Sequence, residues 1–442
     1  MTPSANTIRR EQRAWYVYDW ANSAFPTTVV TLFFGPYLTV LARSAASEDG
    51  LVHILFLRIP PQSVWPYAVS LSVLTQVLAL PLLGAIADFS RRKRELLGLL
   101  VGAGAGATVL MYTLYSDRYL LGCALFLAAN FAYGASIVVY NSFLPEIARP
   151  EERDAVSSNG WALGYLGGGL LLALNLLLFA NAETVGLTEG HAVRISLASA
   201  GLWWGAFSII PLLGLRNRDG GRRRPPGRGY VGAGLRQLRA TLRDVRRYPH
   251  TLLFLLAYLV YNDGIQTVLS LAGQFGSEAL GLPMSALTVA ILLAQFVALA
   301  GAIAFKYVAA AMGNKRTVLL TLALWCGILF YTCGLVSTAT EFYVMAALAG
   351  GVMGGSQALS RSIYSFLIPR GREAEYFSLY EVSDKGTSWL GPLLYGLALQ
   401  FTGSYRAAVI SLIVFFVIGM LLLARVDVRR GAQDAGNAPP VK

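Results

Sequence analysis

The sequence predicts an all-α polytopic membrane protein with twelve transmembrane helices in two pseudo-symmetric six-helix bundles. Three observations predict it. First, 55% of the 442 residues are hydrophobic and only 14% are charged, and the mean hydropathy is +0.54, too apolar for a soluble chain of this size. Second, apolar runs of about 20 residues, enough to cross a roughly 30 Å hydrocarbon layer as helix, recur along nearly the whole chain. Third, the basic residues alternate by loop.

The spans fall near 15–41, 64–87, 95–115, 119–141, 156–180, 192–215, 250–272, 284–307, 317–337, 340–362, 376–400 and 404–425. The first is too long for a cleavable signal, and no small-residue cleavage site follows it. On one side of this map lie Arg9, Arg10 and Arg13, the "RRKR" at 91–94, Arg149 and Arg153, the Arg-rich 216–247 stretch, Lys315 and Arg316, Arg370 and Arg372, and Arg429 and Arg430. The other side keeps only Arg43, Arg58, Arg118, Arg194 and Arg406. The positive-inside rule then puts both termini in the cytoplasm. The net charge of +12 is thereby accounted for by orientation, with no nucleic-acid partner.

The domain plan is an N-terminal six-helix bundle over 1–215, a basic cytoplasmic linker over 216–249 with an interfacial helix, a C-terminal six-helix bundle over 250–425 and a disordered cytoplasmic tail over 426–442. The linker's Leu235, Leu238, Leu242 and Val245 share a helix face beside Arg236, Arg239, Arg243 and Arg246, which suits an anionic membrane surface. The two bundles echo each other. "NSFLP" at 141–145 returns as "YSFLIP" at 364–369, Leu166-Gly167 as Leu390-Gly391, and Lys93-Arg94 as Lys315-Arg316. A parallel duplication of six helices produces such a constant offset.

Polar residues inside spans carry the functional reading. An aspartate in mid-membrane costs about 2.5–3.5 kcal/mol on insertion scales and is rarely left facing lipid. Asp19, Asn22, Ser23 and Pro26 in the first span are spaced i, i+3, i+4, i+7, as are Asp263, Gln266, Thr267 and Ser270 in the seventh, and each set shares a helix face. The expectation is that both spans line a water-accessible cavity. Tyr18, Asp19, Asn22, Tyr261, Asn262, Asp263 and Gln266 then face substrate, joined by Arg361, Glu381, Lys385 and Trp389, and Asp263 and Asp19 are the groups placed to gain and lose a proton. Glu381 and Lys385, four apart, can also neutralise each other, a purely structural role, and Asp384 can reach Arg361.

Other signals are structural. The "GAGAGA" at 102–107 and the glycines at 160, 164, 167, 168 and 169 suit close helix packing, since no strand precedes them as a nucleotide fingerprint requires. Cys123, Cys326 and Cys333 fall inside spans, as packing residues. The histidines at 53, 191 and 250 lie in or beside loops and form no metal or nucleophile motif, so neither an enzyme nor a cofactor is expected.

The segment "GAIADFSRRKR" (84–94) resembles the G-x-x-x-D-R-x-G-R-R loop of the major facilitator superfamily, matching at Gly84, Asp88 and the basic cluster, with Phe89 in place of the family's arginine. The resemblance implies Asp88, Arg91 and Arg92 as gate residues; the second copy has Ala310 where an aspartate would stand, so a symmetric gate is not implied. More narrowly, "YDWANSAF" (18–25), "LPEIARPEERDAVSSNGWALGYLGG" (144–168), "YNDGIQT" (261–267) and "GGSQALSRSIYSFLIPRGREAEYF" (354–377) resemble the signatures of the autophagy-related vacuolar amino-acid efflux proteins and their bacterial relatives. That likeness implies a secondary transporter working by alternating access, with neutral amino acids as solute and a small-molecule substrate, protons and the lipid bilayer as partners of a monomer. The short termini and loops point to a bacterial plasma membrane. A lipid or drug exporter of the same fold and a non-transporting receptor or scaffold are the alternative readings.

Overall fold

The computed structural model describes residues 5–54, 57–89, 92–148, 153–217, 243–369, 376, 379–380 and 389–437. They form two units, Met1–Arg236 and Gln237–Lys442. Ten of the described helices are long and apolar enough to cross a membrane, and two shorter apolar helical stretches, Met284–Ala298 and Leu390–Thr402, stand where further spans are expected.

The first unit holds α1 (Ala5–Asn22), a π-helical segment (Phe25–Phe33), α2 (Phe34–Ser44), the short strands β1 (Val52–Ile54) and β2 (Leu57–Ile59), α3 (Val64–Phe89), α4 (Lys93–Leu110), α5 (Tyr119–Asn141), α6 (Leu144–Ile147), α7 (Arg153–Ala180) and α8 (Glu189–Gly214). The expected single first helix is therefore interrupted, and Pro26 supplies the cause. Proline has no N–H to give and its ring crowds the carbonyl one turn back, so the chain widens its turn. The wide turn runs to Phe34, whose N–H bonds to Val29 O five residues earlier. In the loop expected over 42–63, β1 and β2 pair antiparallel with Val52 opposite Ile59, and Tyr119 Oη donates to His53 O at 2.7 Å.

Glycines set the spacing between α1 and α7. A β-carbon at Gly167 would overlap the Trp20 carbonyl, and one at Gly164 would stand 2.7 Å from Ser23 Oγ. Gly160, Gly164 and Gly168 recur every fourth residue, opposite Asp19, Ser23 and Thr27 at the same interval, so the two helices mesh in register. Gly169 faces open space and has no part in this contact. In the "GAGAGA" run only Gly104 is used for close packing, against the Trp204 ring; Gly102 and Gly106 have open space beside them.

The second unit holds α9 (Pro249–Leu280), α10 (Met284–Met312), α11 (Asn314–Gly334), α12 (Ala339–Phe366), α13 (Leu390–Thr402), α14 (Tyr405–Ser411), α15 (Ile413–Ala424) and α16 (Val428–Asp434). Helix α9 ends at Gly281 with φ 63°, a left-handed position that glycine adopts without a β-carbon clash. Helix α12 begins with a reciprocal cap in which Thr338 accepts from the Glu341 N–H and the Glu341 carboxylate accepts from the Thr338 N–H. Helices α10 and α12 cross closely, because a side chain at Gly301 would strike the Gly351 backbone and one at Gly350 the Ala294 backbone. The tail expected to be disordered over 426–442 is ordered through Asn437, with Asp427 capping α16 by accepting the Arg430 N–H at 3.0 Å. Of the interfacial helix expected in the linker only the end is described, where 243–245 are helical and Val245 is buried, and most of the chain between 370 and 388 lies outside the described residues.

The glycine register gives a paired test. Gly167→Ala should lower the thermal stability of the detergent-solubilised protein by about 1–3 kcal/mol, because the backbone it strikes cannot move aside. Gly169→Ala, two residues along the same helix and facing open space, should leave it unchanged or slightly raised.

Candidate functional site

Among the described residues each unit holds one aspartate inside a candidate apolar span, and each is held in the same chemical way. In the first unit Asp19 lies on the last turn of α1, part-buried, where Tyr140 Oη from α5 donates to its Oδ2 at 2.7 Å. Tyr140 is itself fixed. The Trp15 ring stacks on it at 4.3 Å, Tyr18 packs on it at 4.6 Å, and Trp15 Nε1 donates to its carbonyl at 3.2 Å. Gly160 of α7 closes the other side, since any β-carbon there would overlap Asp19 Oδ2.

In the second unit Asp263 sits in mid-helix on α9. The Gly391 N–H at the start of α13 donates to both carboxylate oxygens at 3.1 Å, and Thr267 Oγ1, one turn along α9, donates to Oδ1 at 3.4 Å. A side chain at Gly391 would overlap the Thr267 hydroxyl and come within 2.8 Å of Asp263 Oδ1, so the contact exists because residue 391 is glycine. The carboxylate thus lies against the first described turn of α13.

Among the described residues no lysine, arginine or histidine lies within ion-pairing distance of either carboxylate. A carboxylate held only by neutral donors can take up or release a proton without breaking an ion pair, which is the chemistry this arrangement makes available.

The sequence-expected residues divide into groups. Asp263, Asn262 and Tyr261 are 0% exposed, as is Tyr18, and Asn22 is 3% exposed. The expectation that these side chains line a water-filled cavity is corrected for them in this conformation: α13 comes in over Asp263 because Gly391 offers no side chain, and Tyr261 spends its hydroxyl on Ser360 Oγ at 2.6 Å. Gln266 and Trp389 are part-exposed, Trp389 as the residue preceding α13, and Arg361 is exposed on α12. Glu381, Lys385 and Asp384 lie outside the described residues, as does Arg91; Asp88 lies in α3 with its side chain outside them, and Arg92 is exposed just before α4. Of the polar face expected in the first span, Asp19 and Ser23 both meet α7, and Asp19 also meets Tyr140 of α5.

Two lysines near span ends were not singled out as interacting groups. Lys93, next to the expected gate arginines, turns inward to Glu146 at 2.6 Å and to the Ser142 carbonyl at 3.3 Å. Lys315 donates to the carbonyls of Ala424 and Val426 at 2.8 and 2.7 Å. The repeat of Lys93-Arg94 as Lys315-Arg316 was the available signal, for a repeated lysine beside a repeated arginine invites separate roles.

The architecture is that of membrane transporters of the major facilitator class. The chain superposes on the nucleoside transporter NupG, as its D323A mutant, with a TM-score of 0.70 at 13% identity, covering 94% of this chain and 99% of that one. A bacterial homologue of the human lysosomal transporter Spinster, in an inward-facing and unoccupied conformation, gives a TM-score of 0.68 at 14% identity and coverage of 98% and 99%. The xylose transporter XylE from E. coli, inward open, gives 0.62 at 11% identity with 95% of both chains covered. Within that class, the chain belongs to the family described as vacuole effluxer Atg22 like, whose pattern matches residues 7–436. It is 30% identical over 419 residues to the uncharacterized MFS-type transporter YxiO of Bacillus subtilis, covering 94% of each chain. It is 25% identical to autophagy-related protein 22-1 of Aspergillus niger, covering 97% of this chain and 90% of that one. The protein is thus an integral multi-pass membrane transporter of a small molecule, and not an enzyme.

The Asp263 contact can be separated into its parts by two substitutions. Asp263→Ala leaves the Gly391 N–H and the Thr267 hydroxyl without their acceptor and should cost about 1–3 kcal/mol in detergent unfolding. Asp263→Asn keeps an acceptor oxygen in place and should stay within about 1 kcal/mol of the parent.

Proposed function

We propose that the chain is a secondary active transporter that exports a small solute, with neutral amino acids as the substrate class, by proton-coupled alternating access. Twelve spans in two related six-helix bundles complete this reading, as do a bacterial plasma membrane, cytoplasmic termini and a monomeric state. The observation that carries it is the Asp263 carboxylate, buried in a membrane span with the Gly391 N–H and the Thr267 hydroxyl as its partners and no cation among the described residues. Charge buried in this way is costly, and a proton is the lightest ligand that removes it.

In this reading Asp263 and Asp19 are the proton-coupling groups. Among the described members of the set Asp19, Gln266 and Trp389 are part-exposed and Arg361 is exposed, and in this reading they meet the solute first. Tyr18, Asn22, Tyr261, Asn262, Glu381 and Lys385 complete the proposed substrate-binding set. An amino acid suits such a group, because its ammonium can meet an aspartate while its carboxylate meets an arginine or lysine. Asp88, Arg91 and Arg92 take the gate role that the superfamily likeness implies. Parting Gly391 from Asp263 is the movement that would admit water to the acid.

Reconstituted vesicles provide the test. Neutral amino acids should raise the melting temperature of the purified protein and should move across vesicles faster when a pH gradient is imposed. Asp263→Asn should abolish the response to the gradient while leaving solute exchange measurable. Full retention of gradient-driven flux in that variant would reject proton coupling through Asp263, and stabilisation by lysolipids or hydrophobic drugs instead of amino acids would reassign the substrate.

A further inference from the structure

The end of the second unit that carries α16 is built as a strap. After α15 ends at Ala424, the chain turns and α16 is fastened back onto its own unit. Lys315, on the first turn of α11, holds the carbonyls of Ala424 and Val426 at 2.8 and 2.7 Å. The Asp427 N–H donates to His250 Nδ1 at 3.2 Å, and Asn437 Nδ2 donates to the carbonyls of Phe366 and Ile368 at 2.9 and 2.7 Å. Gly431 lies against Leu367 and His250, where a β-carbon would stand 2.6 and 2.9 Å from them.

The inner face of the strap is therefore small and closed: Gly431, Ala432 and Ala435 are buried. Its outer surface carries Arg425, Arg429 and Arg430, all exposed, with Arg316 exposed at the start of α11. The level of these arginines is fixed by the spans themselves. The apolar span Tyr405–Ala424 ends one residue before Arg425, and the span Asn314–Gly334 begins two residues before Arg316. Lys315 ties those two ends together. Two acids share the strap. The Asp427 carboxyl is held below the usual carboxylate range by the Arg430 N–H at the start of α16, so its charge faces that helix end, and Asp434 is exposed on the last turn.

We infer that Arg425, Arg429, Arg430 and Arg316 form a binding surface for anionic phospholipid headgroups, held at headgroup depth by the α16 strap. Guanidinium groups fit phosphate oxygens in a bidentate manner, and the hydrocarbon boundary on either side places phosphates where the arginines are. The site is independent of the transport reading, since it requires only that the unit sit in a bilayer.

Native mass spectrometry of the full chain, with phosphatidylglycerol and phosphatidylcholine offered in competition, tests it. The parent protein should retain phosphatidylglycerol preferentially. Arg425→Gln, Arg429→Gln and Arg430→Gln combined should weaken that retention by roughly a hundredfold while leaving phosphatidylcholine binding unchanged. Asn437→Ala keeps every arginine but unfastens the strap; hydrogen exchange over 428–434 should rise and phosphatidylglycerol retention should fall. Equal retention of the two lipids by the parent, or undiminished phosphatidylglycerol retention in the triple variant, would overturn the proposal. Displacement of the lipid by millimolar inorganic phosphate would also overturn it, by reassigning the surface to a soluble anion.

Discussion

The structure turns on how a buried carboxylate is accommodated without a cation among the described residues. An ion pair would hold a membrane acid firmly, but it would also fix its charge. Here the second unit uses the Gly391 N–H and the Thr267 hydroxyl on Asp263, and the first uses the Tyr140 hydroxyl on Asp19. Both arrangements depend on glycine. Gly160 and Gly391 let a helix backbone approach an aspartate to a distance that any side chain would prevent, and that approach removes the acid from lipid as effectively as a counter-ion would. The glycines that read as packing residues and the acids that read as functional ones are thus halves of the same contacts.

Much of this was legible in the sequence and some was not, for physical reasons. The spans were legible because hydrocarbon thickness imposes a length and an apolar composition on every crossing helix. The acids were legible because their cost in lipid is large. What Asp263 touches was not, since a helix period reports the face on which a residue lies and says nothing of which neighbour covers that face. In the sequence Gly391 stands out only as part of a repeated Leu-Gly pair. The break in the first span was written in Pro26, yet a proline in a membrane helix gives a kink, a wide turn or a stop according to its surroundings, and the π-helical segment Phe25–Phe33 is the outcome that packing selected. The order in the tail was hidden for a different reason. Asn437, Lys315 and His250 fasten it through backbone carbonyls and one backbone N–H, and such partners leave no complementary side-chain pattern to read.

The cations near span ends follow a logic opposite to that of the acids. Lys93 meets Glu146 and the Ser142 carbonyl, Lys315 meets the carbonyls of Ala424 and Val426, and Arg406 donates to the carbonyls of Cys333 and Val336 at the end of α11. Each spends its charge on backbone oxygens that a helix end or turn leaves unpaired, where a positive group is favoured by the helix dipole as well. Because these cations are committed to the ends of their elements, they supply none to the interior. Among the described residues Asp19 and Asp263 are held by neutral donors alone, the hydroxyls of Tyr140 and Thr267 and the Gly391 N–H, so that neither carboxylate is tied to a fixed charge.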